Sequence, residues 1–212
     1  MKERPYHWMT TYTAQNEWIE GSGKLIWLAL FFMEAGAGLA LFSIVSENLF
    51  GLVLGWFMVL ALGGGAFLAH MGRPQRVFRA VFQPQTSWIS RGVIFISLFG
   101  IMAAILILVR FLSPNSNPFL LDIATCISSF LVAIYGGILL SYIRALPLWN
   151  TGLLPVIFVV AGFWAGAELL LSIDLLMGMS MESAEPWIHV LLSFFALLVP
   201  LYLMSVRHSS KA

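Results

Sequence analysis

The stretch LIWLALFFMEAGAGLALFSIV, residues 25–45, holds one charge, Glu34, in 21 positions. About 20 predominantly apolar residues are enough to cross the hydrocarbon core of a bilayer as a helix. Working outward from it, five more stretches qualify: Leu49–Ala69, Gly92–Val109, Ile123–Ile143, Thr151–Ile173 and Trp187–Val206. Their apolar runs are continuous rather than alternating, which excludes a β-barrel and leaves helices as the way to satisfy the backbone in lipid. The third run, at 18 residues, reads as the shortest, lengthened by outward snorkelling of Arg91 and Arg110. The expected fold is all-α, a polytopic membrane protein of six spans.

Composition agrees. Of the 212 residues, 60% are apolar and 10% are charged, whereas a soluble domain carries about 25% charged residues. Mean hydropathy is +0.91. A net charge of +1 offers no basic face for nucleic acid. The single cysteine, Cys126, excludes an intrachain disulfide and any CxxC metal or iron–sulfur motif in this chain, and it reads as a small apolar filler. The first 24 residues lack the apolar core of a signal peptide and read as an interfacial segment. The organisation expected is therefore residues 1–24 at the interface, 25–143 as a four-helix bundle, 144–206 as two further helices and 207–212 as a tail.

Six spans put both termini on one side, called side A here. It carries Lys2, Arg4, Lys24, Arg73, Arg76, Arg79, Arg91, Arg144, Arg207 and Lys211, whereas side B carries only Arg110. The positive-inside rule then makes side A, with both termini, cytoplasmic.

Two carboxylates, Glu34 and Glu168, remain inside the spans. An ionisable group at such depth costs a few kcal/mol and is a candidate functional site by default. Glu34 lies ten residues past Lys24, about 15 Å along a helix, and opens the small-residue run EAGAG that permits close helix approach. The plainer reading of Glu34 is a neutral acid bonded across a packed seam, and of Glu168, a group reaching headgroups near side B. His70 ends the second span, Tyr135 lies in the fourth and Arg91 stands before the third, all in the side A half. A buried tyrosine bonded to a carbonyl and an interfacial histidine are the ordinary alternatives. Haem b is excluded, because His7 and His208 are in the tails and His70 and His189 lie at opposite faces. The glycines at 63–65 and 136–137 read as packing surfaces or helix irregularities.

Three segments resemble a known family. They are His70–Phe78 (HMGRPQRVF) with Gln83–Gly92 (QPQTSWISRG), the junction Tyr135-Gly-Gly with Arg144–Pro155 (RALPLWNTGLLP), and the small-residue run Ala35–Leu39. They are similar to the NrfD-type membrane subunits of polysulfide reductase and its relatives, and more distantly to the dimethyl sulfoxide reductase anchor. The resemblance implies a haem-free quinone-reactive anchor, its quinone (menaquinone or similar) held in the first four helices. It implies a docked iron–sulfur subunit on the side of loops 70–91 and 144–150, a catalytic, molybdopterin-type subunit beyond it, and a prokaryotic inner membrane. The motif histidine carries over to His70 and the fourth-helix tyrosine to Tyr135. Family members usually have eight or more spans, so six leave the second bundle shortened.

The mechanism expected joins both readings. His70 and Glu34 are the candidate catalytic residues, and His70, Tyr135, Arg91 and Glu34 the candidate quinone ligands. A histidine can exchange protons near neutral pH. Glu34 would relay protons from mid-membrane, and Arg91 would steady developing negative charge. The rival is a proton- or ion-translocating subunit built on Glu34 and Glu168, although the internal repeat that transporters tend to show is absent.

Overall fold

The structure, a computed structural model, describes residues 23–71, 77, 79, 82–142, 149, 151–178 and 184–209, with only the backbone of 207–209. The N-terminal segment to residue 22, Arg73, Arg76, Arg144, residues 72–76, 78, 80 and 81 of the first loop expected to dock a partner and all of the second but Trp149 lie outside the described residues.

Among the described residues, six helices are long and apolar enough to cross a membrane: α1 (Gly23–Val45), α2 (Leu49–His70), α3 (Trp88–Leu112), α4 (Phe119–Ser141), α5 (Leu154–Met177) and α6 (Glu185–Ser209). The protein is all-α and multi-pass, with no strand among the described residues. One expectation is corrected. The third span is not short; at 25 residues α3 is longer than α1, α2 and α4. Ser87 caps its N-terminus by accepting from the Ser90 N–H, and the arginines at either end each donate to protein groups, Arg91 to the Pro84 carbonyl and Arg110 to Asp122. A charge therefore did not mark the end of the helix.

α1 is the central helix and is packed by α2, α4 and α5. Glycines make that possible. A Cβ at Gly38 would strike the carbonyl oxygen of Gly162 on α5, and one at Gly166 would strike the backbone of Gly38. Gly162 and Gly166 form a GxxxG pair, the spacing that lets two helices approach backbone to backbone in lipid. On the α2 side, a Cβ at Gly55 would sit 2.7 Å from the Gly36 carbonyl. α3 rests on α4 and α2, with the Trp56 indole N–H donating to the Gly100 carbonyl at 3.0 Å. α6 packs along α5, where Trp164 and Phe195 lie 5.5 Å apart. Apolar side chains such as Phe31, Ile101, Leu108 and Phe194 stay exposed on the flanks, as lipid-facing surface requires.

Polar links close the side B end. Asn48 caps α2 through the Gly51 N–H (2.9 Å) and donates to Asp174 of α5 at 2.8 Å. Arg110 of α3 pairs with Asp122 of α4 at 2.9 Å and donates to the Ile44 carbonyl of α1 at 3.3 Å. The two links tie all five of the helices α1–α5 at one level.

Candidate functional site

Glu34 lies on α1 with 8% of its surface exposed. Its Oε1 is buried and has no hydrogen-bond partner among the described residues. That oxygen rests on Gly136 of α4, where any Cβ would collide with it. On its other side a Cβ at Gly162 of α5 would meet the Glu34 Cβ at 2.9 Å and the Glu34 carbonyl at 3.0 Å. Two glycines on two helices thus make room for one carboxyl. A buried polar atom without a partner costs about 1–3 kcal/mol, so such an atom calls for an explanation: an internal water, a ligand or a functional role.

Beside Glu34 a narrow cleft of about 220 Å³ opens between α1 and α5, lined by Phe31, Glu34, Ala35, Ala161, Gly162, Trp164 and Ala165. Its walls are apolar and aromatic. The cleft is smaller than the ~300–1,000 Å³ of an ordinary drug-sized pocket. Alanines and glycines at 35, 161, 162 and 165 keep it open.

α2 is distorted opposite this turn of α1. Residues Met58–Gly63 form a π-helical segment, in which a Cβ at Gly36 would meet the Met58 Cβ at 2.8 Å, and Gly63 would crowd the Met33 side chain at 2.6 Å. The irregularity expected at Gly63 is present. π segments inside α-helices occur frequently at functional sites.

Tyr135 precedes Gly136 and is 2% exposed. Its phenol end lies against Gly92 of α3, leaving no space for a Cβ there. Next along α3 comes Arg91, whose guanidinium sits 4.2 Å over the Trp88 ring. Its Nε donates to the Pro84 carbonyl at 2.8 Å and its Nη2 to the Gln85 carbonyl at 3.1 Å. Arg91 therefore braces the loop that leads into α3. Glu34, Gly136, Tyr135, Gly92 and Arg91 form a run of adjoining positions across α1, α4 and α3.

His70 is the last residue of α2. Gly63 packs against Ala29 and Met33, so His70, seven residues further, lies roughly 10 Å nearer side A than that level. Histidine and Glu34 thus occupy two depths of the same half rather than one contact. Glu168 accepts from the Trp164 indole at 3.1 Å, four residues back on its own helix. Gly162 and Trp164 carry no sign of this site in the sequence, whereas Gly136 already stands out there as a packing position in the Tyr135-Gly-Gly segment. A glycine facing a carboxylate gives no signal in its own helix, because the interhelical register decides what it faces.

No group of three or more metal-ligating side chains forms among the described residues. The family model described as polysulphide reductase, NrfD, matches residues 21–210, nearly the whole chain, and the chain belongs to that family. No match was found among curated proteins or solved structures.

Proposed function

Taking membership of the NrfD family as the premise, whose members are membrane subunits of respiratory oxidoreductases, we propose that this chain exchanges electrons between a membrane quinone and a docked iron–sulfur subunit. Protons are taken up or released at the quinone site. One observation carries the reading: the partnerless Oε1 of Glu34, beside an apolar cleft bounded by Phe31 and Trp164. The cleft offers a quinone apolar and aromatic walls and one group able to give and take protons, Glu34, while the other candidate ligands His70, Tyr135 and Arg91 do not line it. When bound, a quinone supplies two-electron, two-proton redox chemistry, and the iron–sulfur partner supplies or removes the electrons.

The chain's own residues handle the protons and the walls. Glu34 holds and passes a proton at Oε1. His70, nearer side A, exchanges protons at its imidazole. Tyr135 closes the seam between α3 and α4 against Gly92. Arg91 fixes the loop before α3 through the Pro84 and Gln85 carbonyls, so it acts on the site by positioning that loop. The partner docks on the side of loops 70–91 and 144–150, with a catalytic, molybdopterin-type subunit beyond it. By charge bias both termini face the cytoplasm of a prokaryotic inner membrane.

Quinone-linked turnover of the assembled complex, compared for the wild type and for Glu34→Gln and His70→Ala, is the test. Both variants are expected to assemble and to lose turnover by about 100-fold, the range of a lost proton-transfer group. Assembled variants with unchanged turnover would remove these residues from the site.

A further inference from the structure

Five buried side-chain polar atoms among the described residues lack a hydrogen-bond partner, and three of them lie on or beside one stripe of α4. The stripe runs Asp122, Thr125, Ser129, Ala133, Gly136. Steps of three, four, four and three keep these residues on one helical face. At its inner end, Gly136 receives the orphan Oε1 of Glu34. Midway, Ser129 is wholly buried and its hydroxyl has no partner. At the outer end, Asp122 binds Arg110, whose Nη1 is the third orphan. Asp122 and Arg110 also line a cavity of about 520 Å³ at the side B surface, whose rim is the exposed Asn115–Asn117 loop. From Asp122 to Gly136 is 14 residues, about 21 Å at helical rise. Between Ser129 and Gly136 the stripe carries Ala133, which is buried in the apolar cluster with Met33 and Ala37, so this stretch of about 10 Å is the one waters must cross without a polar side chain.

Orphan polar atoms in a protein interior are the ordinary marks of internal water, which bonds groups that no side chain reaches. We propose that a file of waters along this stripe joins Glu34 to the side B cavity and conducts protons between them. A proton enters from water at the Arg110–Asp122 mouth, passes the Ser129 hydroxyl by transfer from one water to the next, and binds Glu34 Oε1. The Glu34 carboxylate becomes the acid, and the water that gave the proton is restored by the next in line. The path runs equally in reverse. It deepens the quinone reading by assigning the source of the protons: they exchange with side B, whereas the iron–sulfur partner serves the same site from side A. Turnover then moves charge across the membrane.

The first test does not need a quinone. The full-length chain is transferred into D₂O, and the carboxylic C=O infrared band that disappears in Glu34→Gln is followed as it shifts on deuteration. Exchange is expected to be fast in the wild type and at least about ten-fold slower in Ser129→Val, which fills the file and removes its hydroxyl. Should that variant fail to assemble, Ser129→Ala removes only the hydroxyl and is expected to slow exchange by roughly three-fold. The absence of a Glu34-dependent band, or exchange equally fast in the variant that assembles, overturns the path. The second test reconstitutes the whole complex in vesicles, with a pH dye on the side B face. Quinone turnover is expected to change the pH there, and Ser129→Val to abolish the change. A change confined to side A overturns the path while leaving the quinone site standing. Slowed infrared exchange in a chain that shows no quinone turnover keeps the path and overturns the quinone reading.

Discussion

A methyl group at position 136 should separate the function of Glu34 from its contribution to stability. The Cβ of Gly136→Ala falls on Glu34 Oε1, with Leu30 Cδ2 and Phe158 Cδ1 each 3.1 Å away. All three are far ends of side chains that can rotate aside. Their displacement costs about 1 kcal/mol, at the low end of overpacking. Replacing a mid-helix glycine by alanine returns about 0.5–1 kcal/mol, so the net change in stability is near zero. Gly162→Ala is the control, because its Cβ meets the Glu34 carbonyl at 3.0 Å and backbone carbon at 3.1 Å. Backbone cannot rotate away, so α1 and α5 must separate, at a cost of about 1–3 kcal/mol. Thermal unfolding in detergent and quinone-linked turnover of the assembled complex, measured on both variants, decide it. Gly136→Ala is expected to unfold close to the wild-type temperature yet lose turnover by about ten-fold or more. Gly162→Ala is expected to unfold at a clearly lower temperature. Wild-type turnover in Gly136→Ala would refute the claim that the carboxyl must occupy that spot. An unfolding temperature unchanged by Gly162→Ala would refute the backbone-contact argument.

Other outcomes follow from the same geometry. Asn48→Ala removes a helix cap worth about 1 kcal/mol and leaves the buried Asp174 without its donor, a further 1–3 kcal/mol or so, and a denaturation curve shifted by less than about 1 kcal/mol would contradict both roles. Gly92→Ala forces the Tyr135 ring off its seat, and the expected loss of turnover with assembly retained is checked on the purified complex. Arg110→Leu strands Asp122 and loses the bond to the Ile44 carbonyl, with an expected destabilisation of about 1–3 kcal/mol, read from chemical denaturation. Arg91→Leu should weaken retention of the iron–sulfur partner more than it changes quinone affinity, because its bonds hold the loop at 84–85; pull-down yield against quinone titration separates the two.

Much of the fold is legible in the sequence, because lipid imposes a simple rule on it. Long apolar runs give the six helices, and the EAGAG run gives the close approach on α1. Glu34 stands out by depth alone. What could not be read is what each helix face meets. Gly136 and Gly162 frame the Glu34 carboxyl from separate helices, and only the register between α1, α4 and α5 brings them there. Arg91 looks from sequence like a free cation near a site, yet two carbonyls of its own loop and the Trp88 ring engage it. Arg110 and Asp122 look like separate helix-end charges, yet they pair and so tie the last turn of α3 to the first turn of α4. Partner choice among polar groups is a tertiary event, invisible to periodicity.

The most direct test of the quinone reading is an inventory of the complex purified from its native membrane in mild detergent, with extracted quinone and iron measured against the amount of this chain. Bound quinone, with iron from a copurifying iron–sulfur subunit, is the expected result. A chain that purifies without either would contradict it.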